Sequence, residues 1–228
     1  MSSNFFAAIS RMKYIERWAL MRSSRRENLS EHAMEVAMIA HALCSIGNVR
    51  FDRGLDADRA AVVGLFHDAS EIITGDMPTP VKYYNRELRT AYKEVETLAE
   101  ERLLTRLPED LRPVYRDVFG SHGALVQGGT GTENAADAAC PDGISGEAEA
   151  EKAAGEKERY LRRLVKAADK LSALIKCIEE EQAGNREFRT ARKSTEQSVE
   201  SLAEELPEVR VFVEEFLPAY GHTLDELA

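Results

Sequence analysis

Apolar residues recur every three or four positions along most of this 228-residue chain, and no run alternates with the period of two that a half-buried strand shows. That pattern predicts an all-α fold. Between residues 28 and 47, His32, Val36, Ile39 and Leu43 share one helical face, and Asn28 with Glu31 has capping-box spacing. A first helix is expected over about 4–15. A third is expected from Asp56–Asp58 to Gly75, with Val62, Leu65, Ala69 and Ile72 inward. "MPTP" (77–80) is expected to be irregular, because two prolines and the residues before them resist helix. A long helix follows over about 84–106, with Leu88, Tyr92, Val95 and Ala99 as its seam, and Pro108 opens a shorter one ending near Phe119. Helix resumes near Glu156 and runs to about Gln182, where "AGN" stops it. One more helix and a last one after Pro207, carrying Val209, Phe212, Phe216 and Leu217, complete a bundle read as a single domain over 1–228.

Residues 120–156 break this pattern. Eight of the fourteen glycines lie there, and no aromatic residue occurs between Phe119 and Tyr160. Such a Gly/Ala/Glu-rich stretch buries too little apolar surface to offset its chain entropy, so it reads as a disordered insertion within the domain. His122 and Cys140 fall inside it and carry little functional weight.

Charge and cysteine usage narrow the class. A net charge of −10 disfavours polymeric nucleic acid, whose binding rests on many Lys and Arg contacts. Against that sign, residues 11–26 hold Arg11, Lys13, Arg17, Arg22, Arg25 and Arg26 with one acid, Glu16. This is a phosphate-handling surface or a solvated basic face. No apolar run approaches the ~20 residues that span a bilayer. Charges at Arg11, Lys13, Glu16 and Arg17 interrupt what would be a signal peptide's apolar region. Cys44, Cys140 and Cys177 have no CxxC spacing, so reduced thiols and a cytoplasmic location are expected.

His67 and Asp68 sit side by side at the end of an apolar run, and Glu71 follows one turn later. Neighbouring helix residues point about 100° apart, so one cation off the helix face is within reach of both. Burying an imidazole and two carboxylates unpartnered costs several kcal/mol, which a divalent cation offsets. His32, on the apolar face of its helix, and Asp169, at the edge of an apolar stripe, are the further candidate ligands. Taken singly, each has a plainer reading, as a hydrogen-bonded core histidine or a solvated helix aspartate; their joint occurrence favours the metal. His41, nine residues after His32, points to the opposite side of the helix, which disfavours a two-metal site.

"SEHAMEVAMIAHAL", "LFHDASEIITGDMPTPVKYYN" and "LVKAADKLSALIKCIEE" resemble the His…His-Asp…Asp signature of HD-domain phosphohydrolases. "RMKYIERWALMRSSRRENLSEH" and "GDMPTPVKY" are similar to the bacterial 5′-deoxynucleotidases of the YfbR type. The resemblance covers the chain outside 120–156. It implies an HD-domain bundle, a homodimer and one divalent ion, Co²⁺ or Mn²⁺, held by His32, His67, Asp68 and Asp169. It further implies a small nucleotide as substrate. Glu71 is placed to orient or deprotonate the attacking water, and Asp76 takes part in catalysis by resemblance. Arg17, with Lys82 second, is a candidate phosphate clamp. Trp18 alone reads as a core aromatic; by resemblance its indole excludes a ribose 2′-hydroxyl. Thr79 and Pro80 are expected to line the sugar or phosphate subsite, and Asp169 to border the substrate as well as the ion. The expected reaction is hydrolysis of deoxyribonucleoside 5′-monophosphates. Competing readings keep the signature and change the substrate to (p)ppGpp, a dNTP or a cyclic nucleotide, or make the cluster a non-catalytic scaffold.

Overall fold

Asn28 starts the helix on which the fold is built. Its side chain accepts from the amides of Ser30 and Glu31 at 3.0 and 3.1 Å, and the Glu31 carboxylate accepts from the Asn28 amide at 3.1 Å. The spacing read from the sequence is therefore a complete capping box. The computed structural model describes residues 2–82, 84–120 and 145–227, with the side chains of Thr79, Pro80 and 145–150 outside the description. Most of the expected insertion, with His122 and Cys140, lies outside the described residues.

The helices are α1 (Phe5–Ile9), α2 (Leu29–Phe51), α3 (Ala57–Phe66), α4 (Glu71–Thr74), α5 (Thr79–Lys82), α6 (Arg86–Leu104), α7 (Arg112–Phe119), α8 (Ser145–Gln182), α9 (Arg189–Glu205) and α10 (Pro207–Glu215). Short 3₁₀ turns cover Ser10–Tyr14, Leu217–Gly221 and Leu224–Leu227. Among the described residues the only extended pairing is an isolated antiparallel bridge between Glu16 and Asn28. The all-α expectation holds. Several boundaries differ: α2 runs on to Phe51, α3 stops at Phe66 short of Gly75, α8 begins at Ser145 instead of near Glu156, and α10 ends at Glu215, before Phe216 and Leu217. Thr79–Lys82 forms a helical turn where irregular chain was expected, which is compatible with Pro80, since proline is tolerated in a helix's first turn.

α2, α3, α8, α9 and α10 enclose the main core, with Leu43, Leu164, Leu171, Leu206 and Val209 fully buried. α1, α6 and α7 close a second cluster around Phe5, Leu103 and Phe119. The inward face of α3 is not the expected one. Ala60, Val63 and Gly64 are buried, whereas Val62 and Leu65 are exposed. Gly64 explains the rotation: a Cβ there would lie 2.8 Å from the Ala37 Cα, so α3 meets α2 backbone to backbone at that point. On α6, Val95 is likewise exposed and Glu96 buried in its place.

Candidate metal centre

The expected helix from Asp56 to Gly75 is interrupted at the residues that matter. α3 stops at Phe66, and amides 69 and 71 bond to carbonyls 66 and 68, an i→i−3 pattern. His67 Nδ1 lies 2.7 Å from the Gly64 carbonyl oxygen, to which it donates. The side chain thus takes a share of a carbonyl at the helix end, and α4 restarts at Glu71. This turn points His67 and Asp68 toward α2.

His32, on the first turn of α2, is fully buried, and its ring lies 5.2 Å from that of His67. His32 Nδ1 is 2.9 Å from Ser172 Oγ. Both imidazoles are therefore anchored through Nδ1, and both Nε2 atoms are buried without a hydrogen-bond partner. Asp169 Oδ1 on α8 lies 3.3 Å from His32 Nε2. Ligand atoms of His32, His67 and Asp169 all fall within 4.8 Å of one another. Asp68 Oδ2 lies 2.9 Å from His67 Nε2 and 3.6 Å from His32 Nε2, so it faces both rings without joining that mutually close trio. Two orphaned imidazole nitrogens converging with carboxylates fit a divalent cation, since buried polar atoms otherwise find partners. Among the described residues this is the one such group. His41 is half-exposed and faces Asp58 at 3.6 Å, on another side of α2.

The electrostatics match that geometry. Burial, then the positive charge of Arg17, pushes His32 down to about 4. Burial opposes ionisation of Asp68 and Asp169 as well. The charge of His67 nevertheless holds Asp68 well below the carboxylate range, as Lys170 and His32 do for Asp169. Glu71 behaves in the opposite way. Burial, then the charges of Asp68 and Asp76, pushes its carboxyl up to about 9. Its Oε2 is also buried without a partner.

Arg17 and Trp18 reach the cluster from the strand-like segment before α2. The Arg17 side chain is 12% exposed and lies 3.5 Å from Glu27, and its charge acts on Asp169, Asp68 and Asp76. Trp18 is held three ways: its amide donates to Asp76 Oδ2 at 3.3 Å, its indole N–H donates to Glu27 Oε2 at 3.0 Å, and its ring meets Phe188 at 5.3 Å. Its backbone has φ +58°, a left-handed conformation that costs a bulky residue energy and clusters at functional sites. Lys82 is committed to Glu96 at 2.7 Å, so it is a poor clamp, although its charge acts on Glu71 and Asp76. The expected roles of Thr79 and Pro80 rest on side chains outside the described residues. Glu27 was not legible as a site residue. It serves both Arg17 and Trp18, and only the Glu16–Asn28 bridge brings it there. Cys44 and Cys177 are buried, and burial pushes both thiols up to about 12, which leaves no thiolate for chemistry.

A family model described as 5′-deoxynucleotidase YfbR-like matches residues 4–140 and 146–220. A 5′-deoxynucleotidase of Shewanella oneidensis is 41% identical over 225 residues, spanning 99% of this chain and 97% of that one. The 5′-deoxynucleotidase YfbR of Escherichia coli is 38% identical over 226 residues, spanning 99% and 96%. Among solved structures, an HD-domain phosphohydrolase from Listeria innocua is similar with a TM-score of 0.67 at 22% identity, covering 95% of this chain and 88% of that one. A cyanophage S-2L HD phosphohydrolase, described as bound to dA and one catalytic Zn²⁺ ion, has a TM-score of 0.55 at 16% identity, covering 93% and 95%. No described helix is long and apolar enough to cross a membrane.

Proposed function

The chain belongs to the YfbR-like family of 5′-deoxynucleotidases, and from that membership we propose that the cluster around His32 hydrolyses deoxyribonucleoside 5′-monophosphates to deoxynucleoside and phosphate, with selection against ribonucleotides. The observation that carries this reading is the convergence of two buried, partnerless imidazole nitrogens with carboxylates, beside a buried arginine and the buried carboxyl of Glu71.

His32, His67, Asp68 and Asp169 are the proposed ligands of one divalent cation; an imidazole–carboxylate set suits Mn²⁺, Co²⁺, Fe²⁺ or Zn²⁺, and the family resemblance favours Co²⁺ or Mn²⁺. When bound, the cation supplies Lewis acidity toward a phosphate oxygen and a water. The remaining work falls to the chain. Arg17 clamps phosphate oxygens, and its planar guanidinium is held ready by Glu27. Glu71 exchanges a proton with the attacking water, for which a carboxyl that binds protons near neutral pH is suited. Asp76 handles the proton of the leaving 5′-oxygen while its carboxylate fixes the Trp18 amide. Asp169 borders the substrate as well as the ion, and Thr79 and Pro80 line the sugar side.

Trp18 supplies the wall against a ribose 2′-hydroxyl. A pocket that merely tolerates an extra hydroxyl discriminates poorly, so exclusion calls for a side chain that cannot move aside. Three independent anchors on Trp18 support that role. The test is phosphate release from matched 5′-dNMP and 5′-NMP panels by protein stripped with EDTA and then reloaded. Release from dNMPs alone, restored by Mn²⁺ or Co²⁺, is expected, and equal release from both panels would remove the sugar-wall claim. The assembly is proposed to be a homodimer. Met34 and Met38 on α2 and Val62 and Leu65 on α3 are apolar and exposed in the single chain, as a contact face requires. A monomer in sedimentation velocity at micromolar concentration would remove that proposal.

A further inference from the structure

His32 can offer Nε2 to a cation only if its proton sits on Nδ1, and two carboxylates favour the opposite arrangement. Asp169 Oδ1 lies 3.3 Å and Asp68 Oδ2 3.6 Å from His32 Nε2, so each draws a proton toward that nitrogen. What faces Nδ1 therefore decides the tautomer. Ser172 Oγ lies 2.9 Å from His32 Nδ1 and only 2.6 Å from Glu35 Oε2. Serine has a single hydroxyl proton, and Ser172 donates it to Glu35 Oε2. That proton points to Glu35, which leaves the serine lone pairs to accept from His32 Nδ1–H. His32 and Ser172 are both fully buried. Glu35 lies one turn beyond His32 on α2, and Ser172 one turn beyond Asp169 on α8, so the chain of bonds also ties together the two helices that carry proposed ligands. For His67 the Gly64 carbonyl does the same work through backbone.

We propose that Glu35 and Ser172 are positioning residues that select the Nδ1–H tautomer of His32 and thereby set the affinity of the cluster for a divalent cation. The inference rests on the reading of the cluster as a cation site, and outer partners of ligating histidines tune metal affinity in this way. Its test needs no nucleotide. Metal-free protein labelled with ¹⁵N-histidine reports the His32 tautomer by long-range proton–nitrogen correlation, and calorimetric titration with Mn²⁺ reports affinity. Wild type is expected to carry its His32 proton on Nδ1. Ser172→Ala and Glu35→Ala are expected to mix the tautomers and weaken Mn²⁺ binding by about 10–100-fold. Glu35→Gln is expected to keep most of the affinity, because its amide oxygen still accepts from Ser172. The double variant Ser172→Ala/Glu35→Ala should bind no more weakly than Ser172→Ala alone.

A wild-type proton on Nε2, unchanged affinity in both alanine variants, or additive losses would each overturn the proposal. Should Ser172→Ala fail to fold, Glu35→Ala, at a half-buried site, carries the same test. A protein that binds Mn²⁺ through this relay yet releases no phosphate from dNMPs would remove the nucleotidase reading and leave the relay standing.

Discussion

Glu71 has a buried Oε2 without a hydrogen-bond partner, in a place where Asp68 and Asp76 already concentrate negative charge. Its carboxyl is raised from the ordinary carboxylate range to about 9, so the metal-free folded state holds a proton that the unfolded state gives up near pH 4.3. Its contribution to stability is full below about 4.3 and is lost as pH rises toward 9. Glu71→Gln should therefore raise the melting temperature of metal-free protein at pH 8, by the roughly 2–4 °C that ~1 kcal/mol gives at this size. The same variant should keep its Mn²⁺ affinity and lose turnover by about 10²–10⁴-fold. Retained turnover would remove Glu71 from the chemistry. Glu27 offers a second check, because Trp18 is the only tryptophan. Glu27→Ala should shift Trp18 fluorescence and narrow the deoxy-to-ribo preference together; a fluorescence shift with an unchanged preference would deny Trp18 its role as the wall. At this scale the sequence was informative where a residue type is costly without a partner, as at His67-Asp68. It was silent where a residue acts through chain crossing, as Glu27 and Glu35 do.

The elements that hold the cluster are set by two close approaches. Gly64 lets α3 rest on α2, and a Cβ there would stand 2.8 Å from the Ala37 Cα and 3.0 Å from its amide nitrogen, neither of which is a movable side chain. Gly64→Ala should cost about 1–3 kcal/mol in urea unfolding and weaken cation binding, since the same residue anchors His67. A stable variant with normal affinity would show that the approach is not needed. The segment before α2 is pinned by Glu180, whose buried carboxylate accepts from the Ser24 amide, Lys176 and Asn185 at 2.6–2.7 Å. Burial opposes its charge, yet these bonds hold its pKa at about 2. Its stabilisation is present above the unfolded value near 4.3 and is lost as pH falls through about 2. Glu180→Gln should cost about 3 kcal/mol at pH 7, because Lys176 is left buried without a counter-charge, with only the neutral Arg25 carbonyl as partner, and the gap to wild type should close as pH falls through about 2. A gap independent of pH would contradict that account. Helix positions were largely legible from apolar spacing and caps. The break at Phe66 was not, because it depends on His67 sharing the Gly64 carbonyl, and the face of α3 was not, because a glycine contact outweighed two apolar side chains.

Across the whole molecule, α2, the turn after α3, and α8 bring residues 32, 67, 68 and 169 to one place. The all-α class and the set of candidate ligands could be read from the sequence alone, because helical period and costly polar pairs are both local signals. Their convergence could not, since it depends on long-range packing. A cation that binds only the folded chain should stabilise it by about 2.7 kcal/mol at a free concentration 100-fold above its Kd, read as a rising melting temperature. The most direct measurement pairs metal content per chain with phosphate release from dNMPs, for wild type and Asp169→Asn. One ion per wild-type chain with metal-dependent release is expected, and loss of both in the variant. A variant that lacks the ion yet still releases phosphate, or a loaded wild type that leaves dNMPs intact, would contradict it.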